Sequence, residues 1–416
     1  MLSSLYGAKI GGSSVNEDDQ TDVQEQVWLG AALQEVYDAF DRWLYMPDKS
    51  LLDLCLAVAL SRKLKGTPIW IIIIGPSGDA KSELVMAFYD GIKSETSIML
   101  HEFTSNTLVS GFVERGHNFD LAPQLDGKLV IMPDMAQILH LHPNDKAKVW
   151  AQLRELYDGR AGRRTGSSDR PPYENLRITF LGCSTPSIDS QILVFTHLGT
   201  RELLFRTELE RKAENEKLMC KVLDNEQNED VMRAELKEAV SAFLKSRKVF
   251  DRHPIPDNVM VDIKGMVEYL RTMRATAETD GYTDELINIV YPEMPTRSLK
   301  QLVRLYRCLK SLDPAYSDDK ALGVLSRIVR SSVLPIRELI MMLLRDGEEL
   351  SMSRISDALR IGKKPCQKQL NILWNLGLVD RREELYDFDR RKIEYWKISE
   401  SGKKVMEWMG KNSVPI

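Results

Sequence analysis

Apolar residues along this chain follow two different spacings in successive segments. From residue 23 to residue 64 they recur every three or four positions, which predicts helices, including a buried helix over 50–64. Beyond residue 65, short apolar runs alternate with helix-forming sequence. These runs predict strands at 68–75, 98–105, 127–134 and 176–186. Because strands that alternate with helices form parallel sheets covered on both faces, the expected fold class is α/β.

The rest of the chain divides into further units. Residues 207–312 contain long polar helical stretches with little strand signal, and a break that contains a proline and several charged residues follows at 311–321. The first 22 residues are rich in glycine, serine and aspartate and predict a mobile tail. The predicted domains are a tail at 1–22, a helical segment at 23–64, an α/β core at 65–206, a helical unit at 207–315 and a C-terminal module at 322–416.

Composition describes a globular chain of 416 residues, with 43% hydrophobic and 28% charged residues. No apolar run is long enough to cross a bilayer, and the start lacks a signal-peptide pattern, so we expect a cytoplasmic protein without a membrane partner. Five dispersed cysteines predict buried thiols rather than disulfides or a metal site.

Charge is unevenly distributed along the chain. The net charge is -4, but from Ala321 onward 18 Lys and Arg stand against 13 Asp and Glu, a surplus of +5. The remainder of the chain therefore carries -9. A basic C-terminal part on an acidic body favours a nucleic-acid partner.

The stretch "GPSGDAKS" at 75–82 lies where a phosphate-binding loop is expected, after an apolar strand and before a helix. The turn lets successive backbone N–H groups point at one spot, and the helix adds its positive N-terminal end. Lys81 would contact the β- and γ-phosphates of ATP, and the Ser82 hydroxyl would hold Mg²⁺. Ala80 replaces the usual glycine and adds only a methyl group if its backbone is right-handed. The predicted nucleotide contacts are Gly75, Pro76, Ser77, Gly78, Asp79, Ala80, Lys81 and Ser82.

The alanine in this loop resembles a known family. "GPSGDAKS" is similar to the G-x-x-G-x-A-K-S loop of the minichromosome maintenance helicases, a branch of the AAA+ ATPases, and to the loops of self-loading helicases and replication initiators of phages and mobile elements. Those loops usually place proline third, whereas here Pro76 is second. The resemblance implies an AAA+ parallel sheet with a helical lid, ATP and Mg²⁺ as ligands, and a homo-oligomeric ring on DNA, with a hexamer as one option.

The stretch "KLVIMPDM" resembles the strand that supplies the metal-side acid of such ATPases, here Asp134. AAA+ proteins normally follow this aspartate with a glutamate that activates water, but Met135 stands there. The activating carboxylate is then missing or comes from elsewhere, with Glu155 and Asp158 as candidates. The alternative is an aspartate that caps the next helix.

Two later stretches resemble further parts of the motor. "ITFLGCSTP" is similar to the sensor strand that lies between the two strands above, with Thr185 as first choice for the polar residue at its tip and Ser184 as second. The alternative is a polar turn. "HLGTRELLFR" resembles the stretch with the arginine finger, which implies Arg201, with Arg206 in reserve, acting on a neighbouring subunit. The alternative is an ordinary interface or surface ion pair.

Arginines outside these strands extend the resemblance to residues 65–315. "PTRSLKQLVRLYRCLKSL" is similar to the helix with the second sensor arginine, which implies that Arg297 touches the γ-phosphate from the lid. A turn with Arg160, Arg163 and Arg164 resembles a loop that faces the central channel of a ring. A solvated basic loop is the alternative for that turn.

The C-terminal module predicts a short helix, a turn, a longer helix, a β-hairpin and a closing helix. In the longer helix Leu370, Leu373 and Leu376 would face inward. This order resembles a winged helix-turn-helix domain. The resemblance implies that the basic start of the longer helix, with Lys363, Lys364, Gln367 and Lys368, enters the major groove and that Arg390 or Arg391 contacts phosphate. Winged helices also serve as protein-interaction modules.

Three functions fit these features. The first is a ring ATPase that translocates on DNA during replication of a virus, plasmid or other mobile element. The second is an initiator ATPase that loads another helicase. The third is an ATP-switched transcriptional regulator with weak hydrolysis, which the missing glutamate after Asp134 favours.

Overall fold

A computed structural model describes most of the chain. The described residues are 32–91, 95–104, 107–109, 113–114, 117–118, 120–162, 171–189, 200–207, 212–249, 253–276, 286–287, 289–385 and 392–410. The predicted tail at 1–22 and the arginines Arg163, Arg164, Arg390 and Arg391 lie outside them.

The elements follow the predicted alternation. Within the described residues the helices are α1 Leu33–Trp43, α2 Ser50–Ser61, α3 Lys81–Met86, α4 Ala136–His140, α5 Pro143–Tyr157, α6 Lys212–Asn225, α7 Glu229–Ser246, α8 Asp257–Met273, α9 Thr296–Lys310, α10 Asp318–Ser331, α11 Pro335–Leu343, α12 Met352–Leu359, α13 Lys363–Asn375 and α14 Glu400–Gly410. The strands are β1 Trp70–Ile74, β2 Ser97–Met99, β3 Val113–Glu114, β4 His117–Asn118, β5 Leu129–Met132, β6 Thr179–Ser184, β7 Leu203–Arg206, β8 Leu350–Ser351, β9 Val379–Leu385 and β10 Lys392–Ile398.

The central sheet confirms the predicted α/β class. Among the described residues five strands form it in the order β2-β5-β6-β1-β7, and every pairing in it is parallel. Strand β6 therefore lies between β1 and β5, as the sequence predicted. All carboxyl ends of these strands meet at one edge of the sheet, which we call the loop edge. Their amino ends form the opposite edge.

The continuous apolar run of β1 follows from burial on both faces of the sheet. Ile71 and Ile73 belong to the hydrophobic cluster that contains helix α2, whereas Ile72 and Ile74 belong to the cluster that contains helix α5. The predicted buried helix is present as α2, in which every residue from 52 to 61 is buried. A period-two pattern is absent from β1 because neither face meets water.

Helix α10 belongs structurally with the central sheet. It contacts β7 and helices α8 and α9, and it is continued by Ser332, whose hydroxyl accepts the backbone N–H of Leu204 at 2.8 Å. Ser331 likewise accepts the N–H of Arg206 at 3.0 Å. The predicted boundary at residue 322 falls inside this helix, because the predicted break at 311–321 consists of a turn at 311–317 and the first residues of α10.

The C-terminal module contains the predicted helices and the predicted antiparallel hairpin of β9 and β10, with β8 as a third strand. Leu370 and Leu373 of α13 are fully buried, as expected. Helix α14 returns to pack on α8, where a Cβ at Gly265 would lie 1.8 Å from the Trp408 ring. The buried Arg337 donates to the Met273 carbonyl at 2.8 Å and to Gln369 at 2.7 Å. The module is therefore docked on α8.

Burial elsewhere agrees with the composition. Cys55, Cys183, Cys308 and Cys366 are buried free thiols, as expected, whereas Cys220 is exposed. Among the described residues, no helix combines the length and the apolar character needed to cross a bilayer.

Candidate active site

The carboxyl ends of β1, β5 and β6 surround one cavity of about 480 Å³ at the loop edge. Parallel strands bring these ends together, although they are far apart in the chain. The predicted residues that line the cavity are Ser77, Gly78, Asp79, Ala80, Lys81, Ser82, Asp134, Ser184 and Thr185. The fold thus gathers most of the predicted loop, the metal-side acid and the sensor tip around one space.

The backbone of the loop has three positions that favour glycine: Gly75, Gly78 with φ 87°, and Ala80. A Cβ at Gly75 would lie 2.0 Å from the Thr207 hydroxyl oxygen and 2.1 Å from a carboxylate oxygen of Asp79, so any larger residue would displace both side chains. Ala80 has φ 61° and ψ 10°, a left-handed conformation. The condition under which Ala80 would add only a methyl group is therefore not met, and alanine carries a strain of roughly 1 kcal/mol that glycine would avoid.

Lys81 is buried and folded back onto its own loop. Its ammonium donates to the carbonyls of Gly75 at 3.0 Å and Pro76 at 2.5 Å and to the Asp79 carboxylate at 2.5 Å. Asp79 in turn accepts the Thr207 hydroxyl at 2.8 Å, which ties the loop to the end of β7. All three ammonium donors are thus engaged, and one of these contacts has to open before Lys81 binds a phosphate.

The predicted metal side contains two oxygen donors, Ser82 in the first turn of α3 and Asp134 in the loop after β5. The Ser82 hydroxyl donates to the Pro133 carbonyl at 3.3 Å, next to Asp134, and both Ser82 and Asp134 are exposed. Hydroxyl and carboxylate oxygens suit Mg²⁺. Asp134 also accepts the Ala136 N–H at 2.8 Å, so it contacts the first residue of α4, although Met135 occupies the cap position of that helix.

The tip of β6 provides hydroxyls and one thiol. Thr185 exchanges a hydrogen bond with the Ser187 hydroxyl at 2.7 Å, and the Ser184 hydroxyl donates to the Thr185 carbonyl at 3.3 Å. Burial raises the pKa of the Cys183 thiol beneath them to about 12, against the opposing effect of Lys81. Cys183 therefore stays protonated and inert at neutral pH.

The far wall of the cavity comes from two segments that the sequence predicts to be helical but not to contribute to a site. Trp43, Leu44 and Tyr45 from the end of α1 face Leu218 and Val222 of α6. The Asn225 side chain donates to the Trp43 carbonyl at 2.9 Å and holds these segments together. An apolar, partly aromatic wall suits a nucleotide base. No local pattern marks it, because its two halves lie far apart in the chain.

Two further carboxylates, Glu83 and Glu229, line the cavity, and no sequence motif pointed to them. Both accept hydrogen bonds from Arg233, at 2.8 Å and 2.9 Å. The suggested activating carboxylates lie elsewhere: Glu155 lines a separate cavity of about 210 Å³, and Asp158 pairs with Arg201. This chain therefore places neither of them at its own phosphate loop.

The predicted arginines Arg201 and Arg297 lie at the amino edge of the sheet, which we call the arginine edge. Arg201 precedes β7 and pairs with Asp158 at 2.7 Å. Arg297 donates to the Thr200 carbonyl at 2.8 Å. The expected contact of Arg297 with a phosphate in its own chain is thus not supported, because the full length of the strands separates it from the loop.

Arg206, the reserve residue, lies at the other end of β7. It pairs with Asp189 at 2.6 Å and 3.0 Å and donates to the Ser331 carbonyl. These contacts give it a structural role within the chain. Arg201 is held in the same way, because it donates to both carboxylate oxygens of Asp158 at 3.3 Å and 2.7 Å, so contacts within the chain do not distinguish the two arginines.

Comparisons with known proteins leave the family open. No protein-family model matches the chain, and no curated protein has significant similarity to it. The assignment of the site therefore depends on its own geometry and on the motifs in the sequence.

Proposed function

We propose that the protein is an ATP-dependent DNA motor of the AAA+ class, a helicase, translocase or replication initiator that works as a homo-oligomeric ring. The observation that supports this most is the single cavity shared by the buried Lys81, by Ser82 and by Asp134. A strand–loop–helix with a lysine and a hydroxyl at this point is the arrangement that binds nucleoside triphosphates.

ATP would bind with its phosphates on the backbone N–H groups of the loop and its base on the wall formed by Trp43 and Val222. Lys81 would leave Asp79 and neutralise the β- and γ-phosphates. Ser82 and Asp134 would hold Mg²⁺, which screens the phosphate charge that develops during transfer. Thr185 would orient the terminal phosphate or the attacking water from the tip of β6.

The arginine edge supports the ring. Arg201 and Arg297 cannot reach a phosphate bound by their own chain, yet arginines that stabilise phosphoryl transfer are often supplied by a neighbouring subunit. We therefore assign both arginines to the site of the next protomer, which replaces the expected lid contact of Arg297. A ring of six is one closed arrangement that such head-to-tail contacts allow.

DNA is the proposed substrate of the motor. Helix α13 presents Lys363 and Lys364 in exposed positions, and Gln367, Lys368 and Asn371 follow on the same face. The order helix, turn, helix and hairpin supports a winged helix, in which such a face would enter the major groove. Part of the hairpin is already neutralised, because Arg382 pairs with Glu349 at 2.8 Å and Arg381 with Glu394 at 3.4 Å.

The second candidate is an ATP-switched DNA-binding regulator. It is favoured by the absence of a glutamate beside Asp134 and by the pairing of Glu83 and Glu229 with Arg233. A site without a water-activating carboxylate would hydrolyse ATP slowly and remain nucleotide-bound. Such a protein would bind one duplex sequence tightly.

ATPase assays with and without single-stranded DNA separate these functions. We expect stimulation by single strands in the wild type, at least a hundredfold loss in Lys81→Ala, and no loss in Lys148→Ala, which changes a lysine that is 63% exposed. Negligible turnover together with tight binding of one duplex sequence would favour the regulator. A wild-type protein that binds no Mg–ATP would refute both.

A further inference from the structure

Trp43 lies in the apolar wall of the nucleotide cavity, and two helices hold it in place. It is the last residue of α1. Its backbone carbonyl accepts a hydrogen bond from the Asn225 side chain, at the end of α6, at 2.9 Å. Its indole N–H donates to the Glu235 carboxylate of α7 at 2.7 Å. The main chain and the ring of Trp43 are therefore fixed separately, each by a different helix.

Glu235 contacts two consecutive residues of α1 with its two carboxylate oxygens. One oxygen accepts the indole N–H of Trp43, and the other pairs with the guanidinium of Arg42. The Arg42 side chain is 61% exposed and that of Glu235 is 31% exposed. Because exposed ion pairs contribute little to stability, the pair with Arg42 does not explain why a carboxylate stands at this position. The hydrogen bond to the indole is the contact that reaches the cavity wall.

The remaining contact between α1 and α7 is apolar. Val36 and Phe40 of α1 and Leu236 and Val240 of α7 are buried in one hydrophobic cluster. Burial of such side chains holds two helices together by itself, because each contributes well over the energy of an exposed polar contact. The packing of α1 on α7 therefore does not depend on Glu235, which leaves the carboxylate free to act on the ring of Trp43.

A tryptophan stacks well on a base only when its ring is turned to the right angle. An indole bound to the chain by two rotatable bonds loses part of the stacking energy to the ordering of those bonds. A hydrogen bond from its edge N–H to a fixed carboxylate orders the ring before the ligand arrives and leaves the faces of the ring free. Glu235 supplies this hydrogen bond, and α7 fixes its position.

We infer that Glu235 is a positioning residue for nucleotide binding, which acts on the base through the indole N–H of Trp43. The inference rests on the proposed function and deepens it, because it names the residue pair that makes binding depend on the base and not only on the phosphates. Glu235 itself touches no part of the nucleotide. Its removal should therefore weaken the binding of a ligand with a base and spare a ligand that consists of phosphates alone.

Displacement of a fluorescent nucleotide from the full chain measures the Kd of two competitors with Mg²⁺, a slowly hydrolysed ATP analogue and inorganic tripolyphosphate. Glu235→Leu should raise the Kd of the ATP analogue about fivefold and that of tripolyphosphate less than about twofold. Trp43→Leu should raise the Kd of the ATP analogue about tenfold, because the stacking surface is lost. Glu235→Gln keeps an acceptor for the indole N–H and should bind like the wild type. So should the control Glu238→Leu, at an exposed position of α7.

A double-mutant cycle shows whether Glu235 acts through the indole. Trp43→Phe keeps an aromatic ring and removes the N–H, so it should by itself raise the Kd of the ATP analogue about fivefold. Adding Glu235→Leu to Trp43→Phe should then cost nothing further, because the contact between the two side chains is already lost. Glu235 with a merely structural role would give the same loss in both backgrounds. Trp43→Phe alone tests the inference if Glu235→Leu does not fold.

Four outcomes would overturn the inference while the proposed function stands: Glu235→Leu that binds like the wild type, Glu235→Leu that weakens both ligands equally, Glu235→Gln that is as weak as Glu235→Leu, and a wild type that binds the ATP analogue no more tightly than tripolyphosphate. A wild type that binds the ATP analogue but hydrolyses no ATP would refute the motor, and the comparison of the two ligands would still decide the role of Glu235. A wild type that binds neither ligand would refute both.

Discussion

Replacing Asp79 with asparagine should tighten binding of Mg–ATP. Asp79 accepts the Lys81 ammonium at 2.5 Å in a pair whose side chains are only 17% and 8% exposed. In the nucleotide complex this carboxylate would lie a few ångströms from the phosphates that Lys81 contacts. The asparagine side chain would remove the charge and keep one acceptor oxygen, for Lys81 or for Thr207, so the competition for Lys81 and the repulsion of phosphate both weaken.

The magnitude follows from this separation. A carboxylate about 5 Å from one unit of phosphate charge costs about 3 kcal/mol at an effective dielectric constant of about 20. Mg²⁺ and movement of the Asp79 side chain remove part of this repulsion. We therefore expect about half of it to remain, roughly 1.4 kcal/mol, which is about a tenfold lower Kd.

Fluorescent ATP and ADP analogues provide the assay, with Kd from equilibrium titration and the dissociation rate from a chase with unlabelled nucleotide. Asp79→Asn should slow the dissociation of both analogues. The control is Asp145→Asn, which removes a surface aspartate paired with Lys148 at 3.1 Å and should change neither quantity.

An unchanged or higher Kd for Asp79→Asn would refute the reasoning. It would mean that Asp79 supports the loop conformation more than it competes for Lys81. Thermal unfolding of Asp79→Asn and Asp145→Asn tests whether Asp79 supports the loop conformation. We expect Asp79→Asn to lower the free energy of unfolding by about 1 kcal/mol, because the buried pair with Lys81 is lost, while the protein stays folded.

Three further predictions concern stability. Gly265→Ala should lower the free energy of unfolding by about 2 kcal/mol, because its Cβ would lie 1.8 Å from the Trp408 ring. Gly323→Ala, with no atom within 4 Å of its Cβ, should instead raise that free energy by up to about 1 kcal/mol. Denaturant titration measures both changes. Ala80→Gly should relieve left-handed strain and raise Tm slightly, and a lower Tm would contradict the assigned backbone. Burial raises the pKa of Cys183 to about 12 and also raises the pKa of Tyr157. As pH rises, the unfolded chain therefore loses these protons before the folded chain does, and the free energy of unfolding should fall above about pH 9. The fall should be shallower in Cys183→Ala.

Local chain chemistry was enough to predict the parallel sheet and the strand–loop–helix at 70–86. The run of isoleucines in β1, the glycine-rich turn and the Lys81–Ser82 pair are neighbours in sequence, and their spacing alone implies their geometry. The same holds for helix α2, whose nearly continuous apolar run predicts burial on all sides, and for the C-terminal hairpin, because such patterns act over a few positions.

Only the tertiary structure decided which distant residues meet. It moved Arg297 to the amino edge of the sheet, paired Asp158 with Arg201, and added Trp43 and Val222 to the cavity. It also placed α10 on β7 rather than in the C-terminal module. These contacts join residues that are dozens to hundreds of positions apart in the chain. They depend on the order of the strands in the sheet and on how the helices dock over its faces. No local pattern of residues specifies either of these.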